Sequence, residues 1–477
     1  MSAPNANDLP LHTGLPAAFL ERMRLLLGAE FHAFLDSYNQ PPSAGLRVNT
    51  LKTTPEAFQS ISPYPLSPIP WCPSGFLIEK QTLSSPGRHP YHAAGLYYLQ
   101  DPSAMAVAEL LSPQPGDLTL DLAAAPGGKT THLASLMECK GVLIANETHP
   151  RRVWELAENL ERWGGQNVAI LNETPERLAQ AFGDVFDKVL LDAPCSGEGM
   201  FRKNEGARQE WSSQRVASCA LRQRLILKQA ERLVRPGGML AYATCTFAPE
   251  ENEAVIAGFI EEHPAFELVS TSRLPGASPG RPEWIDFAGS QTVGAAHKVS
   301  LQAAVRLWPH LAVGEGHFVA LLRRSDSSQP NRFVSEKPPA PSKEALQRFR
   351  EFCSEHLHTE WEIKRLAQVG SYFYWTPPGM PELSGVKAIH PGFWLGMLKP
   401  GRFEPSHALA LALRRDQARQ VVSLDLDGAL SYLHGDTLER NGPDGWALLA
   451  LGGFPLGWGK RVKGVIKNYY PKGLRWL

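Results

Sequence analysis

From about residue 96 to 324 the chain alternates short apolar runs with amphipathic stretches, and this alternation limits the fold more than any other feature. The runs are LTLDLAA, GVLIANE, NVAILN, FDKVLLDAPC, GGMLAYATC and GHFVALLRR. Each has the length of a buried strand, and the segments between them carry helical spacing. Parallel neighbours need crossover connections, and a sheet covered on both faces reads as continuous apolar runs. The expected class is therefore α/β, with a Rossmann-like, mostly parallel core.

A chain of 477 residues with 43% hydrophobic content is too long for one ordinary domain and can fill several cores. Pro16 suits a first helical turn, and Phe19, Leu20, Met23, Leu26, Leu27 and Phe34 recur at helical spacing after it. Strand-like LRVNTLK and the Pro-rich SPYPLSPIPWCPSG then indicate a small α+β module, which we assign to 1–95. The core takes 96–324. A linker is expected at 325–342, where Pro, Ser and charge dominate, and a further compact region at 343–477.

No basic n-region with an apolar core opens the chain, and no uncharged apolar run approaches the ~18 residues of a membrane span. A cytoplasmic protein that does not engage membranes is expected. Six cysteines lie scattered without zinc-type spacing, so they read as free thiols and no metal site is assigned. Lys plus Arg and Asp plus Glu number 48 each, so nucleic-acid binding would rest on local patches rather than a global field.

The first core strand runs into Ala123, Ala124, Ala125, Pro126, Gly127, Gly128 and Lys129, followed by a helix expected near Thr130. Small residues at such a turn let backbone amides approach a ligand, and the helix N-terminus favours an anionic group. The next strand ends in Glu147, where an acid can accept hydrogen bonds from both hydroxyls of a ribose. A nucleotide-like cofactor fits this pair of features. The G-x-G-x-x-G spacing of a dinucleotide site is absent. A phosphate-binding loop is matched from 123 to 130 except at its first glycine, which leaves a nucleotide triphosphatase as an alternative. Against it, Pro126 lacks the amide a phosphate cradle would use.

Asp192-Ala193-Pro194-Cys195 and Thr244-Cys245-Thr246 each follow an apolar strand. Strand ends of a parallel sheet share one edge, so both thiols and Asp192 are expected at one pocket beside the loop. A free cysteine is also often just a small buried hydrophobe, and the residues alone do not rank the two.

The linked motifs AAAPGGKTT (123–131), LLDAPCSGEGMFRK (190–203), RPGGMLAYATCT (235–246) and EENEAV (250–255) resemble the Sun-type RNA cytosine-5 methyltransferases, and within them the RsmF-like group acting on 16S ribosomal RNA. LRVNTLK and GLYYLQDPSA resemble the N-terminal module and its junction, and the last two dozen residues resemble a PUA-like RNA-binding end. The resemblance implies a methyltransferase core using S-adenosyl-L-methionine, bound through 123–129, Glu147 and Asp192. It implies Cys245 as nucleophile, Cys195 in product release, and Lys129 pointing toward the reaction centre. Where members often carry an aspartate near the adenine, this chain reads Asn172-Glu173-Thr174, so that contact is left unassigned.

Carbon 5 of a pyrimidine is too weak a nucleophile to take a sulfonium methyl directly, so a thiolate must first add at carbon 6. Asp192 is the nearest acid for N3, and the second thiol can serve as base for the carbon 5 proton. From Trp458 to the end there are six basic residues, no acidic one and four aromatic rings. We expect RNA contacts from Lys460, Arg461, Lys463, Lys467, Tyr469 and Tyr470, together with Arg202 and Lys203 near the target unless nearby acids pair with them. The expected partner is RNA, either small-subunit ribosomal RNA or the 30S particle, bound by a monomer. A non-enzymatic RNA-binding assembly factor is the second alternative.

Overall fold

The computed structural model describes residues 14–79, 85–271, 274–287, 300–326 and 339–476. Most of the expected linker, 327–338, lies outside them. The expected N-terminal helix forms as two pieces, Ala17–Leu27 and Phe31–Ser37, joined by one tight turn. Phe19, Phe34 and neighbours pack on Phe201, Trp211, Phe247 and Trp308 of the core rather than on their own module.

The module proper is a four-stranded antiparallel sheet of β1 (Gly45–Val48), β2 (Leu66–Ile69), β3 (Cys72–Ile78) and β4 (Tyr97–Leu99), in the order β2-β3-β1-β4. β4 lies past residue 95, so the module ends later than the sequence pattern suggested. Apolar alternation is weak in three-residue strands, and the turn signal at the junction, Asp101-Pro102, lies beyond residue 95.

The core strands are β5 (Leu118–Asp121), β6 (Val142–Asn146), β7 (Val168–Leu171), β8 (Phe186–Asp192), β9 (Val234–Thr244), β10 (Phe266–Leu268), β11 (Ser278–Pro279), β12 (Val305–Leu307) and β13 (His317–Arg324). Five of them, in the order β9-β8-β5-β6-β7, are parallel, and β13 pairs antiparallel to β9. Alternate residues feed two cores. Val142 and Ile144 of β6 join one, Leu143 and Ala145 the other. Helix Arg152–Trp163 shows why the sheet is covered: Val153, Leu156, Ala157, Leu160 and Trp163 form one buried stripe. The chain leaves β5 toward β6 and β7 on one side and crosses back to β8 and β9 on the other. That switch point, beside the loop after β5, is where open α/β sheets bind ligands.

The region after 339 forms two sheets. The first contains β14 (Leu366–Val369), β15 (Tyr372–Trp375), β17 (Phe393–Lys399) and β18 (Arg402–Pro405). The second contains β19 (Val421–Leu424), β20 (Leu438–Glu439), β21 (Gly445–Leu451), β22 (Phe454–Val462) and β23 (Val465–Asn468). It shares a core with the N-terminal module, where Val48, Phe58 and Tyr97 meet Tyr432, Leu433 and Leu449. β16 (Ala388–His390) belongs to neither sheet: it extends the core sheet by pairing with β7.

Candidate functional site

The loop after β5 is held from three sides. Ala124 N–H donates to Asn146 O at 2.8 Å, Arg152 donates to Ala125 O at 2.6 Å, and Asn159 donates to Pro126 O at 2.7 Å. Gly127 adopts φ +111°, and an added Cβ would meet Leu156 and Asn159 at 3.3–3.4 Å, so glycine is set here by backbone geometry and helix packing. The helix begins at Gly128, two residues before the expected start. Arg47 of β1 reaches across the module boundary to Gly128 O at 3.0 Å and Thr131 Oγ1 at 2.7 Å. Its guanidinium is buried and lies over the Trp163 ring, and burial lowers its pKa to about 10.

At the base of the loop, Asp121 accepts from Thr130 Oγ1 at 2.7 Å. Its other oxygen is buried with no partner among the described residues, and burial raises its pKa to about 7. Glu147 is buried at the end of β6, accepting from the His149 amide at 2.8 Å and pairing with Arg152 at 3.4 Å. The arrangement fits an adenosyl cofactor: a small-residue loop opens a helix, and a buried carboxylate ends the next strand.

Lys129 points across the sheet edge to Asp192, with Nζ 2.7 Å from Oδ2. Burial works against the charge of Lys129, but Asp192 and the neighbouring Cys245 outweigh it, and the ammonium pKa is raised. The two predicted thiols meet: Cys195 Sγ lies 3.3 Å from Cys245 Sγ, both unoxidised. The hydrogen bond to Cys245, reinforced by burial, pushes the Cys195 thiol well above its ordinary pKa.

Residues to which the sequence assigned no role hold this pair in place. Asn252 brackets Cys245: its Oδ1 accepts from Thr244 Oγ1 at 2.6 Å and its Nδ2 donates to Thr246 O at 2.9 Å. Glu251 accepts from the Ser196 amide at 3.0 Å, from the Ser196 hydroxyl, and from Gln223 at 2.8 Å. Glu198 accepts from the Phe247 amide and the Trp211 indole, both at 2.9 Å. Gly199 N–H closes the loop onto Cys245 O at 2.8 Å. Glu251, Asn252 and Glu253 are all buried at the start of an apolar helix. Four consecutive polar residues, Glu250 to Glu253, before an apolar run were the available signal, but they also suit a solvated helix start.

The RNA-contact expectations divide. Lys463 and Lys467 are exposed, and Lys460 and Tyr469 partly so beside Trp446. Arg461 is buried, with its guanidinium committed to Arg440 O, Gln420 and Pro443 O. Tyr470 is buried between Tyr432 and His407. Arg202 pairs with Glu315 at 2.5 Å and donates to Ser37 O and Gly314 O, while Lys203 pairs with Asp101 at 2.5 Å. Arg202 and Lys203 thus pair internally, the alternative left open for them, and Arg461 and Tyr470 are committed inside the fold because tertiary neighbours supply acceptors and rings that sequence spacing does not reveal.

Among the described residues no helix is long and apolar enough to cross a membrane. Residues 108–323 match the 16S rRNA methyltransferase RsmB/F family, and 15–102 match the N-terminal domain of 16S rRNA methyltransferase RsmF. Residues 351–413 match the first C-terminal domain of RsmF rRNA methyltransferase, and 419–476 its PUA domain. The two C-terminal sheets are thus separate units where the sequence pattern suggested one region. A protein of Erwinia tasmaniensis named Ribosomal RNA small subunit methyltransferase F is 32% identical, over 96% of each chain. One of the same name from Vibrio vulnificus is 31% identical over 96% of this chain and 97% of its own. A solved methyltransferase homolog from Pyrococcus horikoshii is 29% identical with a TM-score of 0.57, covering 66% of this chain and 97% of that one. NSun6 of the same organism, at 24% identity and TM-score 0.55 over 65% and 99%, shares the fold. Its full-length relatives and its ordered series of four domains agree: the chain belongs to the 16S rRNA methyltransferase RsmB/F family.

Proposed function

We propose that this enzyme moves a methyl group from S-adenosylmethionine to carbon 5 of a cytosine in small-subunit ribosomal RNA. The observation that carries the reading is the 3.3 Å approach of Cys195 and Cys245 beside the Lys129–Asp192 pair. S-adenosylmethionine supplies an electrophilic methyl group, held by the loop 123–129 and Glu147. Cys245, as the thiolate, forms the Sγ–C6 bond while the C5=C6 electron pair shifts into the ring and N3 takes up a proton, leaving an enamine whose carbon 5 is electron-rich enough to accept that methyl. Asp192 is the acid assigned to N3: carrying a proton when the cytosine is bound, it donates that proton as charge builds on the ring, and Lys129 pairs with the carboxylate left behind. Cys195, once it has given up its own proton to solvent, is the nearest sulfur base for the carbon 5 proton; the C5–H electron pair re-forms the C5=C6 bond, N3 gives its proton back and Cys245 leaves as the thiolate.

A cytosine inside a helix must be extruded at a cost of a few kcal/mol, so an unpaired or opened site is the expected target. The exposed cations of β22–β23 and the turn between them suit phosphate contacts outside the pocket. The test is nucleoside mass spectrometry of unmodified 30S particles, naked 16S RNA and transfer RNA after incubation with enzyme and S-adenosylmethionine. New 5-methylcytidine in the first or second supports the reading. No methylation of any of the three by a protein that binds the cofactor overturns it.

A further inference from the structure

The residue after β7 that resisted assignment in the sequence is tied to the C-terminal half of the chain. Asn172 is buried and its side-chain Nδ2 donates to Glu147 O at 2.7 Å and Thr148 O at 3.1 Å. It therefore fixes the backbone of the acid expected to hold the ribose. Its Oδ1 accepts from Lys387 Nζ at 2.8 Å, and its own amide donates to Lys387 O at 2.9 Å. Lys387 N–H in turn donates to Glu173 Oε1 at 2.8 Å, and Arg177 reaches Gly385 O at 2.8 Å.

The next residue begins β16, which lies antiparallel on β7 with Ala388 opposite Leu171. The ties continue into the cofactor loop. Asn146 donates to Leu122 O and Glu173 O and accepts from the Glu173 amide, while its carbonyl holds Ala124. A run of hydrogen bonds thus joins 385–388, the 172–173 turn, Glu147 and the loop after β5.

We propose that the segment 385–388, contributed by the first C-terminal unit, is part of the S-adenosylmethionine site. It forms the wall beyond Glu147, and Lys387 acts as a positioning residue for the adenosine end. The inference rests on the cofactor assignment above. It also makes cofactor affinity a property of the whole chain, because the unit that supplies Lys387 lies between the core and the PUA-like end. Such a tie couples the sites reciprocally: whatever shifts 385–388 changes cofactor binding, and the cofactor steadies 385–388.

The test uses the full chain and S-adenosylhomocysteine as probe, read by calorimetry and by hydrogen exchange. Lys387→Ala, which loses only a partly solvated ammonium contact, is expected to weaken binding about threefold. Lys387→Pro also removes the amide that Glu173 accepts and should weaken binding about tenfold or more, with exchange in β8 and β9 unchanged as evidence of an intact core. In the wild type, the probe should slow exchange in peptides covering 172–173 and 385–390. Wild-type affinity in both variants, or no protection of 385–390 on binding, overturns the inference. A wild-type chain that binds no S-adenosylhomocysteine removes the cofactor assignment itself, which is a different outcome from a variant-specific loss.

Discussion

The sulfurs of Cys195 and Cys245 lie 3.3 Å apart although 50 residues separate them in the chain. They meet because β8 and β9 are parallel neighbours whose last paired residues are Asp192 and Ala243. Replacing Cys245 with Ala should lower methyl transfer by about 10⁴-fold or more while cofactor binding persists, as expected when a nucleophile is removed. Replacing Cys195 with Ala should leave an RNA-linked species, visible as a retarded band on a denaturing gel. A Cys245→Ala enzyme with substantial turnover, or a Cys195→Ala enzyme with no retarded band, counts against the division of roles.

Gly199 has no room for a side chain. An added Cβ would sit 2.9 Å from Cys245 O and 3.0 Å from Gly316 O, both backbone atoms. Gly199→Ala must push the Cys245 backbone aside. A displacement near 1 Å at a reacting group costs about 10²-fold in rate, so kcat should fall by that order while KM for the cofactor changes little. Steady-state kinetics on the purified variant checks this.

The carboxyl of Asp121, 1% exposed, has its pKa raised by burial to about 7 against an ordinary value of 3.8. The folded state binds this proton more tightly than the unfolded one. The resulting stability is fully present below about pH 4 and lost as pH rises through about 7. Across that window it amounts to at most about 4 kcal/mol, opposed by buried histidines that favour the fold at higher pH. Asp121→Asn should flatten this part of the pH dependence in denaturant melts taken between pH 5 and 8. An unchanged pH slope would refute the assignment.

Arg306 and Glu253 form an ion pair at 2.5 Å with both side chains essentially buried, and the guanidinium also faces Trp284 and Trp308. Arg306→Met leaves a carboxylate stranded in the core. Breaking such a pair typically costs about 3–5 kcal/mol, and the site lies at the start of the helix behind Asn252, so stability and activity should fall together. Urea titration measures the first. Removing both charges in Arg306→Met with Glu253→Gln should recover part of the loss.

In the C-terminal unit, exposed and buried cations should separate cleanly. Lys463→Gln and Lys467→Gln should each reduce the slope of log affinity for 16S RNA against log salt by about one, with little effect on melting. Arg461→Gln, whose guanidinium satisfies two carbonyls and Gln420, should instead lower thermal stability by about 1–3 kcal/mol. Equal effects of all three on RNA binding alone would contradict the buried placement of Arg461.

The amino-acid sequence by itself determined the α/β core. Period and length of apolar runs depend on local geometry, so the six strand runs from LTLDLAA to GHFVALLRR appear where their pattern put them. It also determined which residues lie together at one edge of the sheet, because the ends of parallel strands share one side. Loop 123–129, Glu147, Asp192, Cys195 and Cys245 could therefore be named before any contact was known. Tertiary structure alone decided what those residues touch. Arg202 and Arg461 read as phosphate ligands in a linear string, yet the fold brings carboxylates and carbonyls to them from residues 37, 315, 420 and 440. Asn252 and Glu251 carry no assigned role in the string, and only the fold packs the two cysteine loops against them. Lys387 lies 215 residues from Asn172, and β16 is too short for its pattern to reveal which sheet it joins. Periodicity records which face of an element is buried; it carries no record of what comes to cover it.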